Sequence, residues 1–107
     1  MPIYHLWAWF QNIKITAMAT VKFTASLQRF FPGINEMPAK GNTLREILVE
    51  VEEGYPRLYS YLLDEQGCLR EHVNIFIDGS IIKNRDNLGD HVSKGSEIYI
   101  MQALSGG

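Results

Sequence analysis

The chain has 107 residues, 46% hydrophobic and 21% charged, with a formal net charge of -2. That length makes one small domain with a packed core, and the near-neutral balance excludes the clustered positive face of a nucleic-acid binder. One cysteine, Cys68, excludes an internal disulfide framework and fits a reducing cytoplasm, and no apolar run reaches the roughly 20 residues that cross a bilayer.

Residues 1–17 stand apart from the rest. They hold both tryptophans and read Ile3, Tyr4, Leu6, Trp7, Trp9, Phe10, with Lys14 as the first Lys or Arg. A secretory signal would begin with positive charge, so secretion is not expected. Met18-Ala19-Thr20 stands directly before a strand pattern. Residues 1–17 therefore read as an N-terminal extension, whether natural, the product of an upstream start codon or a remnant of cloning, and residues 18–107 as the domain. An extension this aromatic is expected to bury its side chains on the domain or, by self-association, on a second copy.

Val21, Phe23 and Ala25 alternate with Lys22, Thr24 and Ser26, the period of a half-buried strand. Phe30-Phe31-Pro32-Gly33 ends it as a turn. Residues 34–40 form a second, irregular strand, confined to a sheet edge by Pro38. The helix that follows has the strongest pattern. Thr43 and Glu46 match a capping box, and Leu44, Ile47, Leu48 and Val51 recur at helical spacing. Gly54 and Pro56 stop it.

Residues 57–63 read as a short second helix and residues 64–71 as a polar loop holding Cys68. Val73–Ile77 is a strand closed by the Asp78-Gly79 turn, and Ile81-Ile82 returns as a very short one. Residues 84–95 form a loop anchored by Leu88 and Val92. Residues 97–103 are the last strand. One helix crossing a mixed sheet of four to five strands is an α+β, β-grasp arrangement. In it the first and last strands lie side by side mid-sheet, and the chain end projects from a sheet edge.

The chemistry lies in Leu104-Ser105-Gly106-Gly107. Glycine lacks a Cβ, so a Gly-Gly end can thread a narrow channel and present a bare carboxylate. Four extended residues reach about 14 Å. A carboxylate becomes electrophilic only as a mixed anhydride. The chain has no phosphate-binding loop of its own, so a nucleotide-dependent partner is required.

The ending Ala103-Leu104-Ser105-Gly106-Gly107, the helix from Thr43, the segment from His72 to Gly79 and the phrase Gly95-Ser96-Glu97-Ile98-Tyr99-Ile100 together resemble the ThiS/MoaD superfamily of ubiquitin-like sulfur carriers. The resemblance covers roughly residues 20–107. The polar loop before Val73 is most similar to the branch serving cysteine biosynthesis, and the chain is also similar to the molybdopterin synthase small subunit. This resemblance implies that an E1-like adenylyltransferase uses ATP to activate Gly107. A sulfur donor enzyme then replaces AMP to give a thiocarboxylate, and a sulfur-accepting synthase consumes it. It implies a carrier with no bound cofactor. A ubiquitin-like protein modifier and a plain interaction module are the readings of another class.

Phe76, Tyr99 and Met101 fall on the strand face opposite Ile75, Ile77, Ile98 and Ile100. They form either an apolar docking face beside the tail, or scattered surface residues, or a surface covered by the N-terminal segment. Cys68 reads as a loop thiol and His72 as a strand-entry histidine. His5, His72 and His91 with Cys68 lack metal-ligand spacing, so no metal site is expected. No serine elbow, paired cysteine or metal motif makes the chain a stand-alone catalyst.

Overall fold

A computed structural model describes residues 18–102 of the chain. The N-terminal extension and the tail positions Leu104, Ser105, Gly106 and Gly107 lie outside these described residues.

The alternating start builds β1 (Ala19–Phe23), with Ala19, Val21 and Phe23 buried and Thr20 and Lys22 half-buried. The strand does not continue to Ala25 as the alternation predicts. At Thr24 the chain turns into α1 (Ala25–Phe30), which buries Leu27 and leaves Ala25 exposed. The turn is fixed by the Leu27 N–H donating to the Thr24 carbonyl at 3.1 Å, while the Thr24 N–H donates to Ile100. β2 (Met37–Ala39) pairs antiparallel with β1 and sets Pro38 opposite Thr20. It lies at a sheet edge, where the missing proline N–H leaves no ladder acceptor unpaired.

The main helix is α2 (Leu44–Gly54). Thr43 Oγ1 accepts the Glu46 N–H at 3.3 Å. The Glu46 carboxylate reaches back to the Asn42 N–H at 2.8 Å, one residue earlier than in the usual reciprocal box. Two further first-turn donors go to the loop at residues 84–95: Leu44 N–H to the Asp90 carbonyl at 3.0 Å and Arg45 N–H to the Leu88 carbonyl at 2.9 Å. That loop thus serves as the helix cap and is bolted to the core by Leu88 and Val92, 0% and 2% exposed. Gly54 is the last helical residue, and the left-handed position falls instead on Arg57, after Pro56, at φ 83°. α3 (Leu58–Leu62) follows at once.

β3 (Val73–Ile77) turns back through Asp78-Gly79 into β4 (Ser80–Ile81). Both turn residues are left-handed, at φ 51° and 84°, as a two-residue hairpin matched to strand twist requires. β5 (Glu97–Gln102) runs parallel to β1 and antiparallel to β3. The sheet order is β2-β1-β5-β3-β4. The first and last strands are indeed neighbours mid-sheet. The projecting end needs a correction: β5 is flanked on both sides, so the chain leaves from the end of a central strand and not from an edge.

The inner face of the sheet, through Val21, Phe23, Val73, Ile75, Ile98 and Ile100, meets Leu27 of α1, the apolar stripe of α2, and Leu58 and Leu62 of α3 in one cluster. This is the predicted β-grasp arrangement of a mixed five-stranded sheet on one main helix. No helix among the described residues is long and apolar enough to cross a membrane.

Candidate functional site: the root of the tail and the outer sheet face

β5 outruns β1 by two residues, since the last pair between them is Phe23 with Ile100. On its other side Met101 and Gln102 remain paired with Asn74 and Val73. Where β1 is missing, the start of α1 takes over. The Thr24 N–H donates to the Ile100 carbonyl at 3.2 Å, and Ser26 Oγ donates to the Gln102 carbonyl at 3.2 Å. Ser26 Oγ also lies 3.0 Å from Thr24 Oγ1. The backbone is therefore held on both sides up to Gln102, directly before the tail. Ser26 was not singled out by the sequence, because its role depends on α1 replacing the expected strand.

The sheet register assembles the outer face. Phe76 stands opposite Tyr99 on one side and Ile81 on the other, and Tyr99 stands opposite Lys22. Ile81, Phe76, Tyr99 and Lys22 thus make one row across four strands, with Met101 two positions along β5. Tyr99 and Met101 are each 37% exposed and Ile81 53% exposed, while Phe76 is half-buried. Phe76, Tyr99 and Met101 line a shallow concavity of about 300 Å³, with Gly79 and Glu97 at its end. Lys22 Nζ pairs with Glu97 Oε2 at 3.2 Å on the same face.

The three predicted residues are therefore brought together, on the face turned away from Ile75, Ile98 and Ile100, which are buried. Ile77 is half-buried. Ile81 belongs to this surface as well. The two-residue turn at Asp78-Gly79 sets Ile81 opposite Phe76, and that signal was available in the sequence.

A second, polar concavity of about 620 Å³ is lined by residues that include Cys68, His72, Arg85 and Asp86. Burial pushes the Cys68 thiol above its ordinary range, and the carboxylates of Asp64 and Asp86 push it further. A thiol held protonated near neutral pH is a poor nucleophile. Arg85 spends its guanidinium on the Arg70 and Val73 carbonyls, at 2.6 and 2.9 Å. His72 is exposed at the entry to β3. Among the described residues no group of three or more His, Cys, Asp or Glu side chains could hold a metal ion.

Comparison with known proteins bears on the tail. The sulfur carrier protein CysO of Mycobacterium tuberculosis is 26% identical over 90 residues, which cover 82% of this chain and 97% of that protein. A chain of the Amycolatopsis orientalis BexX/CysO complex superposes with a TM-score of 0.71 at 25% identity, covering 83% of this chain and 99% of that one. The small archaeal modifier protein SAMP1 of Methanosarcina acetivorans gives 0.70 at 27% identity, covering 85% and 97%. The model of the ThiS family matches residues 21–107, from the second half of β1 through the Gly-Gly pair. By that match the chain belongs to the ThiS family.

Proposed function

We propose that the chain is a sulfur carrier whose reacting group is the carboxylate of Gly107, most akin to carriers serving cysteine biosynthesis. The observation that carries this reading is the family match extending to Gly107, on a chain whose backbone is secured up to Gln102 and whose outer face is apolar beside it.

In this reading an E1-like enzyme docks on the face of Phe76, Tyr99 and Met101 and takes residues 103–107 into its site. The Gly107 carboxylate attacks the α-phosphorus of ATP, forming the acyl adenylate and releasing pyrophosphate. Hydrosulfide released by a donor enzyme attacks the acyl carbon, the carbon–oxygen bond to AMP breaks, AMP leaves, and a thiocarboxylate remains. Its sulfur is anionic at neutral pH and nucleophilic toward the acceptor held by a synthase. The carrier contributes no acid or base to these steps. It contributes a bare carboxylate within about 17 Å of a rigid body that ends at Gln102, the extended reach of five residues, and a docking face that makes delivery effectively intramolecular.

A second reading is favoured by the likeness to SAMP1, a modifier by name: the same adenylate is captured by a lysine amine instead of sulfur. The test of the shared step is ATP–pyrophosphate exchange with the activating enzyme. Deleting Gly107, or adding an uncleavable residue after it, is expected to abolish exchange while leaving the unfolding temperature unchanged. Exchange that survives the extension would overturn the reading.

A further inference from the structure

The last carbonyl before the tail is held by a side chain and not by the sheet. Backbone groups of β5 alternate between its two neighbours. The Ile100 carbonyl faces the β1 side, where it accepts the Thr24 N–H at 3.2 Å, so the Gln102 carbonyl two residues on faces that side as well. β1 has ended there, at the pair of Phe23 with Ile100. β3 offers no substitute, because the Val73 N–H opposite Gln102 donates to the Arg70 carbonyl at 3.0 Å. Ser26 Oγ fills the gap and donates to the Gln102 carbonyl at 3.2 Å.

The same bond fixes the direction of a second one. A hydroxyl has one proton. Ser26 spends its proton on Gln102, so across the 3.0 Å between the two hydroxyls Thr24 Oγ1 is the donor and Ser26 Oγ the acceptor. The result is a chain from Thr24 through Ser26 to Gln102, in which each bond polarises the next. Neither hydroxyl serves its own helix. Thr24 stands at the N-cap of α1, where a threonine usually accepts a first-turn N–H, and makes no such bond. Both side chains are spent on the end of β5 instead.

We propose that Ser26, oriented by Thr24, is a positioning residue for the reaction of the tail. A peptide group is planar, so holding the Gln102 carbonyl sets the direction in which the chain leaves the rigid body. This inference rests on the sulfur-carrier reading. α1 packs on the inner face through Leu27, so the bond lies away from Phe76, Tyr99 and Met101. Its loss therefore spares docking and costs alignment, and small misalignments at a reacting group are expensive. Such a loss falls on kcat and leaves KM in place.

The test combines ATP–pyrophosphate exchange of the full chain, at the activating enzyme, with the carbon-13 resonance of the Gln102 carbonyl. The resonance reports on the bond without any enzyme. Ser26→Ala is expected to move it to lower frequency and to lower kcat about five-fold, the worth of one hydrogen bond. KM for the carrier and the far-ultraviolet circular dichroism spectrum should not change. Ser26→Thr and Ser26→Val, alike in shape and different only in the hydroxyl, serve as a second pair should the alanine variant fail to fold. Threonine is expected to keep both the resonance and the rate, and valine to lose both. A resonance that stays in place without the hydroxyl, or a full kcat once it has moved, would overturn the proposal. A loss carried by KM alone would make Ser26 part of the binding surface and also overturn it. None of these results touches the carrier reading, which fails separately if exchange survives the uncleavable extension after Gly107.

Discussion

Phe76 gathers the outer face because its strand pairs on both sides, with Tyr99 and with Ile81. A large side chain at the middle of an apolar patch is where binding energy concentrates. Phe76→Ala is expected to weaken docking of the activating enzyme by roughly 1 to 3 kcal/mol. The cost to stability should stay below about 1 kcal/mol, since the residue lies outside the core. The titration is run on the chain with and without residues 1–17. Unchanged affinity in both forms would remove Phe76 from the interface. The neighbouring Lys22–Glu97 pair is exposed on both sides and contributes little to stability, as exposed pairs do. Its place beside the concavity makes it a feature of the rim.

At the level of elements, α2 holds the molecule together. Its stripe of Leu44, Ile47, Leu48 and Val51 is buried, and Leu48 is 1% exposed. Leu48→Ala is expected to cost about 2 to 5 kcal/mol, read from denaturant unfolding; a loss below about 0.5 kcal/mol would mean that the site collapses around the missing side chain. This helix was legible in the sequence because its capping residues, apolar spacing and stop signals agreed. β3 and its turn were legible for the same reason. α1 was not. Its six residues bury only Leu27, and Thr24 makes no side-chain cap bond to announce it. A helix so short is held by packing rather than by its own propensity, so the alternation of β1 seemed to run on into Ala25. Of the candidate site, Phe76, Tyr99 and Met101 followed from the period of two. Ile81 could have been placed from the two-residue turn at Asp78-Gly79, whereas Ser26 required knowledge that α1 lies beside the end of β5, which brings together residues 76 positions apart.

On the scale of the whole molecule, the arrangement separates holding from reacting. The core, the capped α2 and the loop at residues 84–95 form a rigid body, and the central strand of that body leads directly to the tail. Two supports meet at Gln102, the β3 ladder and Ser26, so a partner gripping the outer face also fixes where residues 103–107 begin. The carrier reading predicts that the reacting atom is on Gly107 and nowhere else in the chain. The most direct test is the intact mass of the protein isolated from the cells that make it, with the change located by fragmentation. The account predicts a gain equal to exchange of one oxygen atom for sulfur, confined to the C-terminal peptide and absent when Gly107 is deleted. A C-terminal peptide found only as the free acid, under conditions where the activating enzyme and sulfur donor are present and active, would contradict it.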